Sequence, residues 1–253
     1  MAYELDLNGR RALVTGGGQG IGRAISLALA KAGAMVVVND IDPQRAEAVV
    51  DEIVAAGGKA ASLPFDVTRW ADAEEAIARY GALEPIDVLV NNAGNAGAEN
   101  FGALCHFAES DPQEWSRYFA VNLFGTMHCT RAALPGMIAA GGGGRIVTIV
   151  SESARYGDKC LAPYAAAKAG AAGFCRSVAR EVGRFGITVN CVSLGTMDSP
   201  ITAGAPFDGS GYVIRRRGQP EEVAGLVTYL ASPQAEWITG QTYAINGGYT
   251  FSQ

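Results

Sequence analysis

Arg11-Ala12-Leu13-Val14-Thr15-Gly16-Gly17-Gly18-Gln19-Gly20-Ile21-Gly22 passes without a break from an apolar run into a glycine-rich loop. Residues 11–15 have the make-up of a short buried strand, 23–32 that of a helix, and 35–39 are a second, valine-rich strand. Strand, glycine loop, helix and strand in that order make a βαβ unit. Glycines at the turn let the backbone approach a pyrophosphate, whose charge then sits at the helix N-terminus, so the unit points to a dinucleotide. The pattern G-x-G-x-x-G fits in no frame, because its third glycine is always missing. What is present is Thr-Gly-x-x-x-Gly-x-Gly, on Thr15, Gly16, Gly20 and Gly22. The second strand runs into Asp40, eighteen positions after Gly22, where a carboxylate can accept from a ribose 2′-hydroxyl and repel a 2′-phosphate. Gln19 in the loop and Ile41 after Asp40 bring no cation, and both observations favour NAD over NADP.

The alternation continues beyond this unit. Helices are expected over 43–56, 71–80, 112–138, from Pro163 onward and over 221–230. Strands are expected over 60–65, 86–90, 145–150, 187–193 and 242–246. Strand and helix in turn predict an α/β fold, a doubly wound parallel sheet of about seven strands with helices on both faces. At 253 residues, with no internal repeat or linker, the chain is expected to form one domain over 1–253. Segment 95–110 breaks the rhythm but carries Phe101, Leu104, Cys105, His106 and Phe107, as a pocket-lining loop does. Segment 196–218 is rich in glycine, proline and polar residues, which suits a mobile lid.

A net charge of -5 argues against nucleic acid or an anionic membrane as the main partner. The five cysteines are odd in number and contain no Cys-x-x-Cys pair, which favours reduced thiols. No apolar signal stretch opens the chain and no run reaches 18 apolar residues, so a cytoplasmic protein is expected. His106 and His128 have no second ligand at metal spacing, and no metal is expected.

Tyr164-Ala165-Ala166-Ala167-Lys168 places a phenol and an ammonium on one helix face. Each is inert alone near neutrality. Side by side, the cation favours phenolate and brings the tyrosine toward the range of acid/base work. Ser151, delivered by a strand end, can hydrogen-bond the oxygen that gains or loses the proton. Asn122 lies inside an apolar helical stretch, as either a satisfied core amide or part of a site.

Together these pieces resemble a short-chain dehydrogenase/reductase, a family with the Rossmann fold, from end to end. The carriers are the Thr15-Gly16-x-x-x-Gly20-x-Gly22 loop, Asp66, the turn Asn91-Asn92-Ala93-Gly94, and Asn122, Ser151, Tyr164 and Lys168. The resemblance implies Tyr164 as acid/base and Ser151 on the reacting oxygen, with Ser153 a nearby alternative. It implies Lys168 on the nicotinamide ribose, lowering the tyrosine pKa, and Asn122 positioning a relay water. Gly16, Gln19, Gly20, Ile21 and Gly22 then hold the cofactor's phosphates and Asp40 its ribose. Asp66 and Val67 flank the adenine, Asn92, Ala93 and Gly94 line the centre, and Gly195, Met197 and Ser199 meet the nicotinamide end. The chain departs from the family at Leu194, where proline is usual, and at Ser199, which replaces a threonine. Its 95–110 loop is longer and its 196–218 lid shorter than usual.

The function expected is an NAD(H)-dependent oxidoreductase interconverting a secondary alcohol and a ketone, on a cyclic or aromatic alcohol or a hydroxyacyl-CoA. A 3-oxoacyl-[acyl-carrier-protein] reductase is the alternative. The expected NAD preference and the neutral 141–144 turn, where a carrier-docking patch would be basic, weigh against it. An inactive NAD-binding scaffold is the remote reading. Arg215-Arg216-Arg217 reads either as a solvated lid end or as a phosphate dock, and Glu152 as a surface charge or a filter against anionic substrates. The alanine- and glycine-rich face of the Tyr164 helix and the apolar 237–251 stretch imply a homo-oligomer, dimer or tetramer.

Overall fold

The computed structural model of the chain describes residues 5–82, 85–94, 105–200 and 202–251. Seven parallel strands form one sheet in the order β3-β2-β1-β4-β5-β6-β7. They are β1 (Arg11–Val14), β2 (Met35–Val38), β3 (Lys59–Ser62), β4 (Val88–Asn91), β5 (Arg145–Ser151), β6 (Thr188–Leu194) and β7 (Thr242–Ile245). Seven α-helices connect them: α1 (Gly20–Lys31), α2 (Pro43–Ala55), α3 (Trp70–Gly81), α4 (Pro112–Phe119), α5 (Gly125–Ala139), α6 (Ala162–Val182) and α7 (Pro220–Ala231).

Parallel strands need a covered sheet, and their valine-rich runs divide alternately between two faces. Val14, Val36, Val38 and Val90 pack with Ile25 and Leu29 of α1, Ile53 of α2 and Val227 of α7. Leu13, Val37 and Leu89 pack on the other side with Ile77 of α3, Met137 of α5 and Cys175 of α6. β1 is flanked by β2 on one side and β4 on the other, so successive connections run outward in opposite directions there. The strand ends at that divide form the crevice where open sheets of this kind take ligands.

Two elements differ from expectation. The third strand stops at Ser62 rather than 65, because Asn39 Nδ2 donates to the carbonyls of Leu63 (3.1 Å) and Phe65 (3.0 Å) and turns the chain away from the ladder. The helix expected over 112–138 is broken at Ala120–Phe124, a π-turn centred on Asn122. Such a turn admits one extra residue and redirects the side chains it carries. No helix among the described residues is long and apolar enough to cross a membrane.

Candidate active site and cofactor crevice

Every strand of the central part delivers a site residue at its carboxyl end. Thr15 follows β1, Asp40 follows β2, Asn91 closes β4, Ser151 closes β5, and Gly195 follows β6. The crevice floor is tied by one hydroxyl: Thr15 Oγ1 accepts from the amides of Asn92 and Ala93, each at 3.1 Å. Asn92 Nδ2 returns hydrogen bonds to the carbonyls of Thr15 and Gly16, both at 3.0 Å. Gly22 is sterically fixed here, since a Cβ on it would lie 2.0 Å from the Gly16 carbonyl oxygen.

Helix α1 begins at Gly20 behind an exposed, extended Gln19 that makes no side-chain cap, and its first turn holds no acidic residue. Amide groups at its N-terminus are thus left for an anionic ligand, and the residues present fit the pyrophosphate of a dinucleotide. Ile21 packs half-buried against the α1 side of the core. Asp66 accepts from Thr68 N (2.9 Å) and Oγ1 (2.8 Å) and leads into α3, while Val67 beside it is buried.

Asp40 is buried, not a solvated strand end. Its carboxylate accepts from Gly18 N at 3.2 Å and Asp42 N at 3.0 Å, and pairs with Arg45 NH2 at 3.0 Å. Arg45 lies in the first turn of α2. It escapes a sequence reading that inspects only the loop and the position after Asp40; its signal is its place two residues after the helix-opening Pro43.

The reaction centre gathers around β5 and α6. Lys168 is buried with its Nζ donating to the Ile149 carbonyl at 2.8 Å, and burial pushes its ammonium down to about 8. Asn122 is fully buried and donates to the Tyr118 carbonyl at 3.0 Å. Gly94 joins the two: a Cβ there would fall 2.8 Å from both Asn122 Oδ1 and Lys168 Nζ, so only hydrogen fits between them. Asn122 is thus both a satisfied amide and a neighbour of Lys168.

Tyr164 does not carry the lowered pKa expected for it. Burial raises its phenol above the ordinary value, a hydrogen bond with Ser151 draws it partly back, and the Asp158 carboxylate raises it further. Lys168, bound to a carbonyl and itself disfavoured as a cation by burial, does not overcome these effects in the chain alone.

Ser151 Oγ donates to Ser153 Oγ and accepts from Ser153 N, both at 3.2 Å, so the two serines act as one unit. Glu152 between them is 1% exposed, which corrects the reading of it as a surface charge. It accepts from Ser193 Oγ (2.5 Å), Asn246 Nδ2 (3.1 Å), Arg155 NH1 (3.2 Å) and Thr250 Oγ1.

Beyond Leu194, Gly195 N donates to the Ile245 carbonyl at 3.0 Å, continuing the ladder without the usual proline. Met197 is buried and bridges Gly218, and Ser199 N donates to Thr202 Oγ1 at 2.9 Å. Segment 196–218, expected to be a lid, is laced down by Asp198 N to Gly218 O (2.8 Å) and Ile214 N to Gly247 O (2.8 Å). Of the arginine run, Arg216 makes a two-point ion pair with Glu222 (2.8 and 2.7 Å), and Arg217 donates to the Ala205 carbonyl (2.6 Å). Of the 95–110 loop, 95–104 lie outside the described residues. Among the described residues no group of three or more potential metal ligands occurs.

A family model described as short chain dehydrogenase matches residues 10–207, a span that contains the glycine loop, Asp40, Asn122, Ser151, Tyr164 and Lys168. The chain belongs to the short-chain dehydrogenase family. Cyclohexanol dehydrogenase of Acinetobacter sp. (strain SE19) is 38% identical to this family member, covering 96% of each chain. A 3-oxoacyl-[acyl-carrier-protein] reductase of Synechocystis sp. is also 38% identical, covering 96% of this chain and 97% of its own. A solved structure from Beutenbergia cavernae, of a candidate NAD(P)-dependent gluconate 5-dehydrogenase with NADP at low occupancy, superposes with a TM-score of 0.90. It is 33% identical and covers 96% of this chain and 98% of its own. Short-chain dehydrogenases are oxidoreductases that use a nicotinamide cofactor, and the crevice described above fits that group.

Proposed function

We propose that the chain is an NAD(H)-preferring oxidoreductase that interconverts a secondary alcohol and a ketone. The observation that carries this reading is Lys168 buried one helical turn beyond Tyr164 on α6, with Ser151 at the carboxyl end of β5. The glycine loop and the α1 N-terminus would hold the phosphates, and Asp40 the adenosine ribose. Asp66, Val67 and residues 92–94 would line the adenine and centre, with Gly195, Met197 and Ser199 at the nicotinamide end. Bound there, the cofactor supplies the hydride acceptor or donor. The chain's own part is proton handling: the Tyr164 phenolate takes the alcohol proton in oxidation, and the phenol returns it in reduction. Ser151 holds the reacting oxygen, and Lys168 supplies positive charge beneath the phenol.

A buried carboxylate at Asp40 supports NAD, since a 2′-phosphate would meet it. Arg45, at 3.0 Å from that carboxylate, offsets part of the repulsion and supports some use of NADP. Rings of Tyr156, Tyr249 and Tyr212 pack in succession (centroids 5.3 and 4.8 Å apart). Tyr249 joins that wall to the serine loop through Asp158 at 2.6 Å. An aromatic cluster tied to the serine loop favours a cyclic or aromatic alcohol. A hydroxyacyl-CoA is favoured less, because Arg216 and Arg217 are already engaged. The Synechocystis relative supports the second reading, an acyl-carrier reductase. The inactive-scaffold reading gains no support, since Asn122, Ser151, Tyr164 and Lys168, the four groups expected to be catalytic, are all present. Fold and charge suit a cytoplasmic homo-oligomer of one-domain chains.

Turnover of cyclohexanol, benzylic secondary alcohols and 3-oxoacyl thioesters with NAD(H) and NADP(H) tests this. Oxidation of a ring alcohol faster with NAD, and a loss of roughly 10²–10⁴-fold in Tyr164→Phe, are expected. NADPH-driven reduction of acyl-carrier thioesters alone would replace the reading with its alternative.

A further inference from the structure

Tyr212 enters the site above only as one ring of an aromatic cluster, yet its hydroxyl has partners of its own. Thr196 sits between Gly195 and Met197, just beyond β6. Its amide donates to the Tyr212 hydroxyl at 3.1 Å, and its own hydroxyl shares a further hydrogen bond with that phenol at 2.8 Å. Its carbonyl accepts from Gly218 N at 3.1 Å. All three polar groups of Thr196 are thus bound by residues 212 and 218 of the same segment. Leu194 brings no ring to fix the backbone where the chain leaves β6. The ladder to β7 ends one residue short of Thr196, with Gly195 N on the Ile245 carbonyl. The phenol takes over where the ladder stops.

The ring of Tyr212 makes the second half of the connection. It is stacked on Tyr249, with centroids 4.8 Å apart and planes 20° from parallel, and tilted against Phe207 at 5.3 Å. Tyr249 OH donates to Asp158 Oδ1 at 2.6 Å, and Ser153 Oγ donates to Asp158 Oδ2. Ser153 N in turn donates to Ser151 Oγ at 3.2 Å. Each step from Thr196 to Ser151 is a direct contact, and the path joins three segments far apart in the chain. At one end lie the residues read as holding the nicotinamide. At the other is the serine read as holding the reacting oxygen.

Transfer of a hydride between those two ends needs them at a fixed separation. We propose that Tyr212 is a positioning residue: its hydroxyl fixes the Thr196 peptide, and with it the nicotinamide end of the crevice, against the serine turn. This rests on the reading of Gly195, Met197 and Ser199 as the nicotinamide end. Without the phenol oxygen, the Thr196 amide loses its partner in the free chain and has to be ordered when cofactor binds. The cost falls on the nicotinamide half, because the path includes neither the glycine loop nor Asp40.

Tyr212→Phe keeps the stacked ring and removes only the hydroxyl. Titration with NADH, followed by dihydronicotinamide fluorescence, is set against calorimetric titration with ADP-ribose, which has the adenosine and phosphates but no nicotinamide. In Tyr212→Phe the dissociation constant of NADH is expected to rise by roughly 3- to 10-fold, as for loss of one or two hydrogen bonds, while that of ADP-ribose stays as it was. Thr196→Val keeps the amide bond to the phenol but not the hydroxyl one, and is expected to show the same split at smaller size. A rise shared equally by both ligands marks a general loosening of the crevice and overturns the proposal. A wild-type chain that binds neither ligand sinks the dinucleotide reading, and the proposal with it. Binding of both ligands, with neither variant changing their ratio, sinks the proposal alone.

Discussion

Gly94 shows how much of this site is set by the size of one residue. Its missing side chain lets Asn122 Oδ1 and Lys168 Nζ converge, each 2.8 Å from where a Cβ would stand. Neither partner has slack: Lys168 is held by the Ile149 carbonyl and Asn122 by the Tyr118 carbonyl. Gly94→Ala is therefore expected to lower kcat by roughly 10²-fold through misplacement of the lysine, and to lower the melting temperature by a few degrees because the added methyl has no room. Steady-state rates and thermal melts on the same preparation check it. A variant with normal kcat would show that the lysine position tolerates displacement. Glycine at 94 was legible from the sequence as part of Asn91-Asn92-Ala93-Gly94. Its steric reason was not, because Asn122 and Lys168 are distant in the chain and meet only in the fold. The pKa of Tyr164 was misjudged for a related reason. An i,i+4 spacing announces the lysine, while burial and Asp158 arise from packing that spacing does not encode.

At the scale of elements, β7 and the residues after it are fastened to the catalytic turn through Glu152. Burial works against this carboxylate's charge, and hydrogen bonds from Ser193, Thr250 and Asn246, with the Arg155 charge, outweigh it and hold its pKa below the ordinary carboxylate value. A carboxylate depressed in the fold stabilises above its unfolded pKa, and that contribution is lost as pH falls through the folded value. Glu152→Gln is thus expected to lower the melting temperature at neutral pH and to flatten its fall below about pH 4.5. Truncation to alanine, which strands four donors, costs about 3–5 kcal/mol. Melts of the two variants across that range decide it; an unchanged acid slope in Glu152→Gln would remove the carboxylate from the account. The strands themselves were read nearly to the residue, because apolar runs bounded by glycine and asparagine state their own ends. Where a side chain overrides the local pattern, as Asn39 does beyond Ser62 and Asn122 does within the α4–α5 stretch, pattern alone could not show it.

For the molecule as a whole, β7 is the last strand of the sheet among the described residues, and the segments flanking it in sequence carry two exposed large apolar side chains. Trp237 is 97% exposed and Phe251 77% exposed. Patches of this kind mark contact surfaces. Light scattering at micromolar concentration is expected to give a dimer or tetramer, and Trp237→Glu to shift it toward monomer. A wild-type monomer would leave those rings unexplained. The alanine face of α6 is divided: Ala167 and Ala171 are spent on the core, and only the Ala166 and Ala169 side is left for a neighbour.

Ninety-eight positions separate Glu152 from Thr250, and 91 separate Asp158 from Tyr249. On the ribosome, the serine turn therefore emerges long before the groups that anchor it. A nascent chain halted between residues 246 and 248 has all seven strands but leaves Glu152 without Thr250 and Asp158 without Tyr249, so the last donors to the serine turn arrive after the sheet is complete.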